Sequence, residues 1–247
     1  VRWLARGENG MPADDRWLAP GEAARAAQMR YTKRRTEYRL RRWAAKNAVA
    51  TAASIGSDPA GLARIEVRNR PSGAPYVLLD GSPLAMDVSL TDRAGWAVCL
   101  VGPDLGAVGC DLELVEPRTA GFLADFLTPA EREYVGAQPG PDSAHAAANL
   151  IWSAKESALK VLRTGLRRDT RTVEVHLDHA TDAPGWAPLR VCVDSGAEIP
   201  GWWRRDGMFV LTVAAAGPTA HPVALEPDRV LADARPVHSW MERPLAR

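Results

Sequence analysis

A helix-forming block followed by a set of short strand-like segments occurs twice in this chain, about 110 residues apart. From Gly21 to about Ser54 the residues are Ala, Arg, Glu, Gln, Met and Leu without proline, which predicts one long helix or two. Alternating and β-branched residues then predict strands over 64–70, 74–79, 85–90, 96–101 and 106–114, divided by turn signals such as Pro71-Ser72-Gly73 and Asp80-Gly81. The second block opens at Thr128-Pro129-Ala130-Glu131, a capping-box pattern with proline in the first helical position. A longer helix from about Asp142 to Leu166 follows, then strands near 172–177, 189–193 and 208–214 joined by polar turns. This order predicts a duplicated α+β unit, with subdomains over 1–115 and 116–216. Residues 1–19 predict a short strand and a loop. The stretch 217–247 carries Pro218, Pro222, Pro227, Pro236 and Pro244 and predicts an irregular extension.

Bulk composition says little about partners. Thirty-one Lys and Arg against 30 Asp and Glu leave a net charge of +1 over 247 residues, so no global field favours nucleic acid or an anionic membrane. The exception is local: between Arg25 and Lys46 nine basic residues face Glu37 alone. That patch is either a solvated helix face or a site for phosphate or an acidic partner. No apolar run is long enough to span a bilayer, the N-terminus lacks the order of a signal peptide, and Cys99, Cys110 and Cys192 lack metal or disulfide spacing. A cytoplasmic protein with reduced cysteines is expected.

Large enzyme classes are excluded by absent motifs: there is no Walker loop, G-x-G-x-x-G, G-x-S-x-G or H-E-x-x-H. His176 and His179 fall three apart in a predicted strand, on opposite faces, and make poor co-ligands. What remains is Gly109-Cys110-Asp111-Leu112-Glu113 and, some forty residues on, Trp152-Ser153-Ala154-Lys155-Glu156-Ser157-Ala158-Leu159-Lys160. On a strand Asp111 and Glu113 point to one side. On a helix Trp152, Glu156 and Lys160 share a face. If that face meets the strand, three carboxylates and a lysine converge. Carboxylates so confined repel unless a cation joins them, and oxygen-only ligands suit Mg²⁺, which keeps positions for substrate phosphates.

The pair G-x-D-x-E and W-S-x-K-E-x-x-x-K resembles the 4′-phosphopantetheinyl transferase family, in its surfactin-type branch of two similar subdomains. Arg42-Trp43-Ala44-Ala45-Lys46-Asn47-Ala48 is similar to the family's early helix, and Gly73-Ala74-Pro75-Tyr76 to its G-K-P turn. The resemblance implies an α+β fold made by pseudo-twofold duplication of a helix plus antiparallel-sheet unit. It implies Mg²⁺-dependent transfer of the phosphopantetheine arm of coenzyme A to a serine of an acyl or peptidyl carrier protein, releasing 3′,5′-ADP. By position, Asp111, Glu113 and Glu156 would hold the metal, Glu156 would take the serine proton, and Lys160, supported by Lys155, would neutralise the pyrophosphate. Arg42 and Lys46 would meet the 3′-phosphate, and Gly73, Ala74, Pro75 and Tyr76 would line the adenine. No nucleic-acid or membrane partner is implied. The chain would act as a monomer or as a domain of a larger synthase.

The chain departs from the family's pattern in three places. A serine-histidine pair is replaced by Thr91-Asp92, followed by Arg93; the turn lysine is Ala74; and the glycine expected after Lys160 is Arg163, although Gly165 is kept. A carboxylate at Asp92 would repel pyrophosphate unless Arg93, the metal or a proton compensates. Two other functions use the same residues. One is a catalytically weak module that binds coenzyme A or a carrier; the other is a Mg²⁺ nuclease, whose second acid and lysine would sit two apart on a strand rather than four apart on a helix. For carrier docking, the stretch 115–140 offers Phe122, Phe126, Leu127, Arg118 and Arg132.

Overall fold

The computed structural model of the chain describes residues 1–103, 106–177, 185–227 and 230–242; His179 lies outside them. In chain order β1 (Arg2–Gly7), α1 (Pro20–Ala27), α2 (Thr32–Ala52), α3 (Pro59–Ala63), β2 (Ile65–Asn69), β3 (Pro75–Leu79), β4 (Ser82–Pro83), β5 (Met86–Arg93) and β6 (Trp96–Pro103) come first. Then follow β7 (Val108–Leu114), α4 (Ala120–Phe126), α5 (Pro129–Gly136), α6 (Pro141–Val161), β8 (Val173–Leu177), β9 (Ala187–Val193), β10 (Glu198–Asp206), β11 (Phe209–Ala215), β12 (Val223–Ala224) and α7 (Ser239–Glu242). The fold is α+β, with antiparallel pairing in every sheet except where β12 runs parallel to β1.

Two compact units divide the chain: Val1–Leu105 with Val223–Val230 and Ala234–Arg247, and Gly106–Pro222 with Leu231–Asp233. The division falls ahead of β7 rather than at residue 115, because β7 pairs along its whole length with β11. The strand bearing Asp111 and Glu113 therefore belongs to the second unit. The tail is more regular than its prolines predict, since it supplies β12 and α7 and buries Leu231 and Ala234. Sequence reading also missed β10, whose Glu198, Pro200 and Gly201 dilute the strand pattern before Trp202 and Trp203.

Both units are built alike. Pro20 and Pro129 open α1 and α5, Thr32 and Pro141 open α2 and α6, and the offset is 109 in both cases. The second unit orders its sheet β7-β11-β10-β9-β8; the first has β1-β6-β5 in one sheet and β2-β3-β4 in another. Each long helix packs small residues on its sheet: Ala44, Ala45 and Ala48 in α2, and Ala154 and Ala158 in α6, so that backbones approach closely.

Beneath each helix lies the same buried ionic clamp. Glu22 is the third residue of α1 and returns a carboxylate oxygen to the Ala19 N–H, while its other oxygen accepts from the Val67 N–H. Lys46, fully buried on α2, meets Glu22 Oε2 at 2.6 Å and donates to the carbonyls of Trp17, Leu62 and Ile65. In the second unit Glu131 caps Thr128 and accepts from Val175, and Lys155 meets Glu131 Oε2 at 2.7 Å and donates to Thr170 and Val173. Such ions are tolerable in a core because every N–H of the ammonium has an acceptor.

The helix ends are also repeated. Ser54 (φ 55°) and Arg163 (φ 57°) occupy the left-handed position after α2 and α6. In each case the next N–H reaches back five residues, Ile55 to Ala50 and Thr164 to Leu159, as in a Schellman motif. The missing glycine at Arg163 has thus left the turn intact, at a backbone cost of about 1 kcal/mol.

Candidate active site

The acidic pair and the helical triad meet within the second unit. Gly109, Asp111 and Glu113 line one side of β7 against α6. A Cβ on Gly109 would sit 2.0 Å from the Ser157 carbonyl oxygen, so only glycine lets the helix come this close. The approach is locked by buried hydroxyls: Ser153 Oγ and Ser157 Oγ lie 2.9 and 2.7 Å from Thr212 Oγ1 on the neighbouring β11. Lys160 Nζ then donates to Asp111 Oδ1 at 3.0 Å and to the Cys110 carbonyl at 2.7 Å. One turn earlier Glu156 faces Asp111, Lys160 and Glu113. A further turn back, Trp152 Nε1 donates to Glu113 Oε1 at 3.0 Å.

The electrostatics follow from this crowding. Burial first, then the charges of Asp111 and Glu113, push the Glu156 carboxyl up to about 7, against the pull of Lys160. Burial opposes the Lys160 ammonium, but Asp111 and Glu156 outweigh it and hold the lysine above its ordinary value. Glu156 Oε1 is buried with no hydrogen-bond partner among the described residues. An oxygen-only donor set with an unsatisfied buried carboxylate oxygen is the chemistry a hard divalent cation relieves. No group of three or more His, Cys, Asp or Glu stands close enough together to hold a metal ion among the described residues. Asp111 is held by Lys160, so an ion would have to draw it in. In donor type and in the unsatisfied Glu156 oxygen, though not in their present spacing, these residues suit Mg²⁺.

Lys155 does not belong to this cluster, which corrects the expectation that it supports Lys160. One residue along a helix turns a side chain by about 100°, and Lys155 points into the core, where it closes the clamp on Glu131. Burial lowers its pKa, with Glu131 working in the opposite direction. Arg118, expected on a docking surface, is instead largely buried: Nη2 meets Glu113 Oε2 at 2.9 Å and Nε meets Asn149 Oδ1 at 2.7 Å. Leu127 is core, Phe122 and Phe126 stack edgewise on Trp152 at 5.2 and 4.9 Å, and Arg132 is exposed. Sequence reasoning missed Arg118 and Asn149 as neighbours of the site because nothing in their spacing links them to Glu113.

In the first unit the expected coenzyme A residues are only partly gathered. Lys46 is consumed by its clamp and cannot meet a phosphate, a second correction. Arg42 is also buried, 3.4 Å from Glu22 and 4.5 Å above the Tyr38 ring, and burial lowers its pKa. It reaches the Gly73-Ala74-Pro75-Tyr76 turn through Asn69, which accepts from Arg42 at 3.4 Å and donates to the Gly73 carbonyl at 2.7 Å. Arg70, exposed, lies over the Tyr76 ring at 5.2 Å. On β5, Thr91 is buried and Asp92 is ion-paired with Arg41 of the basic helix α2, next to Arg93 in the chain. The counter-charge for Asp92 thus comes from α2.

Residues 107–184 match the family model of the 4′-phosphopantetheinyl transferase superfamily. The matched segment contains the acidic pair, Glu156 and Lys160. No curated protein matches the chain. The match covers less than half of the chain and supports a likeness to that superfamily. No helix among the described residues is long and apolar enough to cross a membrane.

Proposed function

We propose that the chain transfers the 4′-phosphopantetheine arm of coenzyme A to a serine of an acyl or peptidyl carrier protein in the manner of the two-subdomain, surfactin-type branch. The observation that carries this reading is the packing of Lys160 and Glu156 of α6 against Asp111 and Glu113 of β7. Asp111, Glu113 and Glu156 would hold Mg²⁺, which would neutralise pyrophosphate charge when bound. Lys160 would offset charge on the departing 3′,5′-ADP, and Glu156 would take the proton of the incoming serine hydroxyl. The serine oxygen forms the new bond to phosphorus as the pyrophosphate P–O bond breaks. Positioning and charge neutralisation do most of the work in such transfers.

Intact-mass spectrometry of an apo carrier protein incubated with coenzyme A, Mg²⁺ and this chain tests the proposal. One added phosphopantetheine, lost with EDTA, is expected. No gain across acyl and peptidyl carriers, with coenzyme A still bound, would replace transfer by a binding role.

A further inference from the structure

We infer that Arg118 is a positioning residue that fixes the Glu113 carboxylate for the metal, and that helix α4 controls it through Phe122. The inference rests on the proposed metal role of Glu113. Oε1 of that carboxylate accepts from Trp152 Nε1 at 3.0 Å, and Oε2 from Arg118 Nη2 at 2.9 Å. A carboxylate oxygen can accept more than one contact, so these bonds orient the group and are compatible with an ion on it. Both donors pack on the same ring: the Arg118 guanidinium carbon lies 4.6 Å from the Phe122 centroid, and Trp152 meets Phe122 edgewise at 5.2 Å.

The guanidinium is anchored on its far side. Its Nε donates to Asn149 Oδ1 at 2.7 Å, and the fully buried Asn149 amide donates to the carbonyls of Glu116 and His145 at 2.7 and 2.8 Å. All polar groups of Asn149 are thereby satisfied, which leaves one orientation for the arginine fork. Helix α4 buries no residue of its own fully and is held to α6 by Phe122 and Phe126. A displacement of α4 therefore withdraws the ring on which both hydrogen-bond donors of Glu113 pack. Outer hydrogen bonds of this kind typically change metal affinity 10- to 100-fold when removed.

The test is Mn²⁺ binding followed by electron paramagnetic resonance in the presence of coenzyme A, alongside the Mg²⁺ concentration for half-maximal transfer. Arg118→Ala should weaken Mn²⁺ binding about 10- to 100-fold and raise the half-saturating Mg²⁺ concentration in parallel, with kcat at saturating Mg²⁺ within about threefold of the parent. Arg118→Lys, which keeps the charge but cannot serve Asn149 and Glu113 as a planar fork, should fall between them. Phe122→Leu should weaken Mn²⁺ binding with the charge untouched, and near-UV circular dichroism identifies variants that keep the fold. Unchanged or tighter Mn²⁺ binding in folded Arg118→Ala overturns the inference alone, tighter binding meaning that the arginine competes with the ion. A parent chain that binds no Mn²⁺ overturns this inference and the metal role of Glu113 together.

Discussion

In the first unit the clamp of Glu22 and Lys46 lies under α2; in the second, Glu131 and Lys155 lie under α6, with the same capping contact, the same bond to the strand that follows the long helix (β2, β8) and a matching pair of carbonyls at the entry to that strand. Where the units part is the helix face turned to β1 in the first unit and to β7 in the second. At the helical offset of 109, Glu156 is answered by Asn47 and Lys160 by Thr51; at matching hairpin register, Asp111 and Glu113 are answered by Leu4 and Arg6. Asn47 merely donates back to the Trp43 carbonyl of its own helix. The shared clamp is therefore architecture, and only the second unit carries acid chemistry on that face. Duplication separates the two roles that adjacent residues such as Lys155 and Glu156 confuse in the sequence.

The largest expected effect breaks the comparison at the matched helix position. Glu156→Ala should reduce carrier modification about 10²- to 10⁴-fold, whereas Asn47→Ala should leave it within about threefold; intact-mass time courses measure both. Equal losses would mean that the two faces are functionally equivalent.

The clamps come next, and here the units should behave alike. Lys46→Met and Lys155→Met each strand a buried carboxylate and should cost about 3–5 kcal/mol, read by urea unfolding. A Lys155→Met chain that keeps its stability but loses transfer would restore Lys155 to the site.

Much of this architecture is legible in the amino-acid sequence. The period of the repeat, the capping box at Thr128 and the facing of Asp111, Glu113, Glu156 and Lys160 all follow from spacing rules, because pleat and helix pitch fix which side chains share a face. The clamps are not legible. Lysine is ordinarily a surface residue, and Glu131 has a complete local explanation as a capping residue, so nothing pairs it with a lysine 24 positions on. Arg41 reads as one member of a charge run, while its particular partner Asp92 lies on β5, in register only after folding.

A third experiment uses the titration of the acidic face, which the first unit lacks. The Glu156 pKa is raised on folding, so the native state holds a proton that the unfolded chain releases. Its ionisation therefore costs the metal-free protein stability as pH rises from the ordinary carboxylate range through about 7. Glu156→Gln should remove that cost and gain about 1–3 kcal/mol at pH 8 in EDTA, with a smaller gain at pH 5. Thermal unfolding at the two pH values checks it; a gain independent of pH would point to packing instead.

The smallest effect concerns the two helix ends. Ser54→Gly and Arg163→Gly each relieve a left-handed non-glycine residue and should stabilise by about 1 kcal/mol or less, since the unfolded chain also gains freedom. Calorimetric midpoints distinguish the two. A gain at Ser54 and a loss at Arg163 would give the arginine a contact that offsets its backbone cost.

The economy of lysine has a practical consequence for chemical labelling. The chain has only four lysines, Lys33, Lys46, Lys155 and Lys160. Two are sealed in the clamps, so among the lysines an acylating reagent meets only Lys160 and Lys33, which lies out on α2 and serves as an internal reference. Held protonated by Asp111, that amine should acylate slowly, and more slowly still once a phosphate ligand covers it. Peptide mapping of a single modified lysine would then report occupancy of the acidic face without any need for turnover.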